Sequence, residues 1–98
     1  MIRLSPEAEA QVDRLIEHYE TLGRLPAAEN LLQALERAKE RIAAAPNAGL
    51  TAPRPYPRLT QPRRLWINSG RYWIAYRADP TPLIIGIFFE TANIPGRL

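Results

Sequence analysis

Residues 47–62, NAGLTAPRPYPRLTQP, place Pro53, Pro55, Pro57 and Pro62 close together. Proline fixes φ and lacks the backbone donor, so neither a helix interior nor a central strand can run through this segment. It divides the chain into two parts that must fold by different rules. Before it, apolar residues recur at helical spacing. After it, they fall into short strand-like runs separated by turn residues. The segment itself reads as an extended loop, stiff where the prolines cluster, that carries Arg54 and Arg58 to wherever it packs.

The first part begins with a short strand candidate, Ile2 to Leu4. Ser5 then suits a helix N-cap, Pro6 the first helical position, and Glu7 and Glu9 the positive helix end. Ala8, Val12, Leu15, Ile16, Tyr19 and Leu22 make one apolar face, and Gly23 is a natural stop. After the link GRLP, a second stripe follows: Ala28, Leu31, Leu32, Leu35, Ala38, Ile42 and Ala45, ended by Pro46. So short a link predicts an antiparallel helical hairpin.

The second part offers three strands, at roughly 63–68, 71–78 and 83–90. Ser69-Gly70 is the expected first turn, DPTP at 79–82 the second, and NIPGRL ends the chain with another breaker pair. The expected fold is α+β: a short N-terminal strand and an antiparallel helical hairpin packed on one face of a small antiparallel sheet, in the order β-α-α-β-β-β. At 98 residues it is a single domain spanning 1–98.

Charge separates along the same divide. Residues 1–40 carry five Lys or Arg against eight Asp or Glu, and residues 41–98 carry eight Arg against Asp79 and Glu90. The basic half suggests a polar partner, with a solvated surface as the alternative. There is no cysteine, which excludes disulfides, thiolate metal sites and a cysteine nucleophile. No apolar run approaches the roughly 20 residues of a membrane helix, and Arg3 and Glu7 interrupt any signal-like start. A cytoplasmic protein with no membrane partner, no cofactor, no metal and no small-molecule substrate is the expectation.

RRLWINSGRYWIAYR, residues 63–77, holds both tryptophans and four arginines with no acidic residue. With Ser69-Gly70 as the turn, Ile67 opposes Tyr72, Trp66 opposes Trp73 and Leu65 opposes Ile74. In the second hairpin Trp73 opposes Phe88, Ala75 opposes Gly86, Tyr76 opposes Ile85 and Arg77 opposes Ile84. Strand parity then puts Leu65, Ile67, Tyr72, Ile74 and Tyr76 toward the helices. Arg64, Trp66, Asn68, Arg71, Trp73, Arg77 and Phe88 face the other way, beside a dip at Ala75 and Gly86. Two helices cover only one sheet face. The aromatic row is therefore either an open binding surface or a second core beneath the proline loop, and an open docking face is the expectation.

The strand-then-helix opening LSPEAEAQVDRLIEHY, the helix end AAAPNAG, the hairpin GRYWIAYR and the late FFETANIP, in this order, resemble the RelE/ParE superfamily of bacterial toxins, closer to the ParE branch. The resemblance implies a toxin of a type II toxin–antitoxin module, of the kind used in plasmid stabilisation, neutralised by a cognate antitoxin whose disordered tail folds around it. It implies DNA gyrase as target for ParE-like members and ribosome-bound mRNA for RelE-like nucleases. RNA cleavage needs an acid, a base and cations on the phosphate. Where RelE-like enzymes carry a late His and Arg, this chain has Phe89 and Ala92. His18 lies on the first helix among Glu17 and Glu20, as a solvated residue. Arg58, Arg71, Arg77 and Glu90, with Tyr56, are the weak catalytic candidates that remain. Inhibition by binding is therefore the leading expectation, with Arg64, Trp66, Arg71, Trp73, Arg77 and Phe88 as the partner contacts. A RelE-like endoribonuclease and a basic nucleic-acid-binding module are the alternatives.

Overall fold

The structure is a computed structural model and describes residues 2–90. The element order is β1 (Arg3–Leu4), α1 (Pro6–Thr21), α2 (Leu25–Ala44), a 3-10 turn (Pro57–Leu59), β2 (Leu65–Ser69), β3 (Tyr72–Arg77) and β4 (Leu83–Phe89). This is the expected α+β order. The turn expected at Pro95-Gly96 and the comparison at Ala92 lie outside the described residues.

Helix boundaries follow the local chemistry. The Ala8 N–H donates to Ser5 Oγ over 3.1 Å, and Pro6 takes the first turn. At the other end of α1, Gly23 is left-handed (φ 68°), and the Arg24 and Gly23 amides reach back to the Tyr19 and Glu20 carbonyls. That double closure satisfies carbonyls the helix leaves free and turns the chain into α2. Ala28, Leu31, Leu35, Ala38 and Ile42 are buried as expected, and Ala34 joins them. Leu22, Leu32 and Ala45, expected on the apolar faces, are exposed: Leu22 and Ala45 have passed the last turns of α1 and α2, and Leu32 sits at the edge of its stripe.

The four strands form one sheet in the order β1-β4-β3-β2. Three are antiparallel as expected, but β1 lies parallel to β4, pairing Arg3 with Leu83 and Leu4 with Ile84. A strand that enters α1 and returns only after two helices and a hairpin can join the edge in that direction. The first turn is Gly70-Arg71 rather than Ser69-Gly70, so Ser69 pairs with Tyr72, Ile67 with Ile74 and Trp66 with Ala75. Gly70 has φ 57° at the first turn position, where the hairpin geometry suits glycine. Each partner moves by two residues relative to the expected register, so the faces do not exchange.

In the second hairpin four expected pairs stand: Tyr72–Phe89, Trp73–Phe88, Ile74–Ile87 and Ala75–Gly86. A bulge between Ala75 and Tyr76 then pairs Tyr76 with Ile84 and Arg77 with Leu83. Ile84 consequently enters the helix-side core and Ile85 the opposite cluster, the reverse of the expected assignment. No helix of the described residues is long and apolar enough to cross a membrane.

Candidate functional site

Both faces of the sheet are covered. On one side Ile67, Tyr72, Ile74, Tyr76, Ile84 and Ile87 pack beneath α1 and α2. On the other, Trp66, Trp73, Ala75 and Phe88 form a second cluster closed by Tyr56, Leu59 and Ile85. Trp66 is 0% exposed, Phe88 5% and Trp73 6%. The expected open aromatic face is thus corrected: the rings project away from the helices, but the proline segment lies over them. The dip expected at Ala75 and Gly86 is filled as well. A Cβ on Gly86 would come within 2.9 Å of the Phe88 ring, and Phe88 leans to within 5.9 Å of Trp66.

The covering segment is fastened at several points. Leu50 and Trp66 exchange two backbone hydrogen bonds of 2.7 Å, which also closes part of the β2 edge. Pro53 is fully buried. The Gly49 N–H donates to Tyr76 Oη (3.1 Å), whose own O–H donates to the Pro46 carbonyl (2.7 Å). Arg64 sits with its guanidinium 5.3 Å from the centre of the Trp66 ring and donates to the Leu59 carbonyl. Burial works against the charge of Arg64, and stacking on the indole offsets part of that cost. Trp66 Nε1 and Arg64 Nε are buried without a hydrogen-bond partner among the described residues.

The expected contact residues therefore divide. Trp66, Trp73 and Phe88 are a floor beneath the loop, and Arg64 is half-buried above it. Arg77 is exposed at the end of β3 on the same face. The cover adds Arg54, Arg58 and Arg63, all exposed; the sequence placed Arg54 and Arg58 on this loop without fixing where it packs, and for Arg63 only the absence of any carboxylate between Arg41 and Ala78 was a pointer. Arg71 goes elsewhere, into the β2–β3 turn. Arg71 and Arg77 stand at opposite ends of β3, roughly 20 Å apart at strand rise. Of the weak catalytic candidates, Arg71 and Glu90 are neighbours, the Glu90 N–H donating to the Arg71 carbonyl over 2.8 Å. Arg77 lies at the far end of the strand and Arg58 on the 3-10 turn of the cover. Tyr56 is engaged in the aromatic cluster, and His18 is exposed on α1.

At the Arg71 end lies a cleft of about 950 Å³ between the helical hairpin and the sheet. Its floor is apolar and phenolic. Tyr19 and Tyr72 face each other with hydroxyls 2.6 Å apart, and Phe89 meets the Tyr72 ring edge-on at 5.6 Å. Burial, reinforced by the Tyr19 hydrogen bond, holds the Tyr72 hydroxyl well above its ordinary 10.0; burial raises Tyr76 too. A raised folded-state value makes this stabilisation complete below the unfolded pKa and lost as pH rises beyond it, because the unfolded tyrosines ionise first. Urea unfolding followed from about pH 8 to about pH 11.5 is expected to show level stability to about pH 10, then a fall of up to ~1.4 kcal/mol per pH unit for each tyrosine. Tyr72→Phe is expected to make that fall shallower.

Comparison with known proteins agrees with this geometry. The family described as "ParE toxin of type II toxin-antitoxin system, parDE" matches residues 2–89. No curated protein matches the chain. Among solved structures, the fold is similar to one described as "Chromosomal ParDE TA system from P. aeruginosa", with a TM-score of 0.66 and 16% identity over 90% of this chain and 92% of that one. At that identity the likeness speaks for the fold, while the family match spans nearly the whole sequence: this chain belongs to the ParE toxin family of type II toxin–antitoxin systems.

Proposed function

We propose that this chain is a cytoplasmic toxin that inhibits DNA gyrase by binding it, and that a cognate antitoxin neutralises it. Family membership supports the toxin role. The observation that carries the binding mechanism is the basic cover. Exposed Arg54, Arg58 and Arg63, with Arg77 beside them, stand on a loop held down by a buried aromatic cluster. A rigid surface loses little entropy on docking, and arginine is among the residues that most often anchor an interface. In this reading Arg54, Arg58, Arg63 and Arg77 act at the surface, while Arg64, Trp66, Trp73 and Phe88 keep the cover in shape beneath them.

The test is a purified supercoiling reaction run beside a ribosome-bound mRNA assay. Added toxin is expected to trap gyrase–DNA complexes and to leave mRNA uncut. Arg58→Ala with Arg77→Ala is expected to weaken trapping while the thermal melt stays close to that of the unaltered protein. In-frame mRNA cuts without trapped complexes would replace this reading with a ribosome-dependent nuclease. Tight, steeply salt-dependent binding to free RNA, with neither activity, would make the chain a nucleic-acid-binding module.

A further inference from the structure

The cleft at the Arg71 end has no part in the proposed gyrase surface, yet its chemistry is one-sided. Arg24, Arg37 and Arg71 line it, each exposed. Among the described residues the single ion pair is Lys39–Glu36, so none of these three guanidinium groups has a carboxylate partner there. The start of α2 lines the same cleft through Arg24, Pro26 and Ala27. That helix has no side-chain cap and no acidic residue in its first turn, so the positive end of its dipole is uncompensated. Arg37 reaches the turn that carries Arg71: a Cβ on Gly70 would lie 3.4 Å from Arg37 Nη2. Between the charges lie Leu15, Ala27, Tyr19, Tyr72 and Phe89. The residues after Glu90 carry Arg97 and no acidic side chain, so their side chains do not complement this charge.

We propose that this cleft is the docking site for an acidic segment of the antitoxin, whose carboxylates meet Arg24, Arg37 and Arg71 while an adjoining apolar side chain rests on the Tyr19–Tyr72 floor. The inference rests on the reading that an antitoxin neutralises this chain. Exposed guanidinium groups around a phenolic floor suit a peptide carrying both kinds of side chain, because charges steer the encounter and the apolar contact holds it. A bare phosphate would use only the rim.

The experiment titrates a purified cognate antitoxin, identified first by its capture of the unaltered chain, into the full chain at low and at physiological salt. Arg37→Glu and Arg71→Glu are each expected to weaken binding at least about tenfold and to flatten its salt dependence. Arg3→Glu makes the same charge change on exposed β1 and is expected to stay within about twofold. Arg37→Gln and Arg71→Gln, checked by thermal melt, repeat the measurement with milder variants. Tight binding left unchanged by all four cleft variants overturns the cleft and leaves antitoxin recognition standing. An equal loss in Arg3→Glu also overturns it, since net charge alone would then explain the effect. Failure of the unaltered chain to capture any antitoxin overturns both the inference and the reading on which it rests.

Discussion

Trp66→Ala is expected to destabilise the protein by about 3–5 kcal/mol, the cost of truncating a fully buried aromatic side chain. Trp66 is 0% exposed and touches both the sheet cluster and the cover. A domain of this size has about 5–15 kcal/mol in total, so the loss takes a large share of it. In urea the midpoint is expected to fall by about 2 M. Trp66→Phe is expected to cost much less, because the ring volume is mostly kept and the lost indole N–H has no partner among the described residues. Trp73→Ala should resemble Trp66→Ala, since its ring is only 6% exposed. The opposite outcome is informative. If either alanine variant keeps its urea midpoint but loses gyrase or antitoxin binding, the cover stands open in solution and the rings themselves are contacts.

Much of this was legible because strand parity survives an error of two. Reading the turn at Ser69-Gly70 instead of Gly70-Arg71 moved every β2–β3 partner, yet Ile67 and Tyr72 still fell on the helix side and Trp66 and Trp73 on the other. The bulge was not legible. Leu83, Ile84, Ile85 and Ile87 are all apolar, so no alternation marks Ile85 as the extra residue. The parallel β1 was hidden for a similar reason: two residues carry no directional signal.

The main miss concerned what covers the aromatic row. Periodicity assigns a side chain to a face and says nothing about a non-periodic segment folding over that face. The proline segment had the length and stiffness for it, and Tyr56 and Leu59 were its only large apolar residues next to the clustered prolines. They are the ones that cap the tryptophans. Arg71 shows the same limit. Sequence grouped it with Arg64 and Arg77 as one basic face, and the turn carries it to the helix-side cleft instead.

The same cover explains a second large effect, at Gly49. A Cβ there would lie 2.5 Å from Tyr76 Oη, 2.9 Å from its Cε1 and 3.0 Å from Leu65 Cβ. Neither a strand nor a fully buried ring can give way easily, so Gly49→Ala is expected to cost about 1–3 kcal/mol through overpacking. It also displaces the hydroxyl that accepts from the Gly49 N–H and donates to the Pro46 carbonyl, the clamp joining the end of α2 to β3. Tyr76→Phe removes that hydroxyl outright and is expected to cost about 1–3 kcal/mol, since the amide and carbonyl lose their partner. The two changes are not independent. Without Oη the closest of the three clashes disappears, so the double variant is expected to fall short of additivity by about 0.5–2 kcal/mol in a urea double-mutant cycle. Strict additivity would mean that the start of the loop already moves away from Tyr76 in solution, and the clamp would then not be what holds the basic cover over the tryptophans.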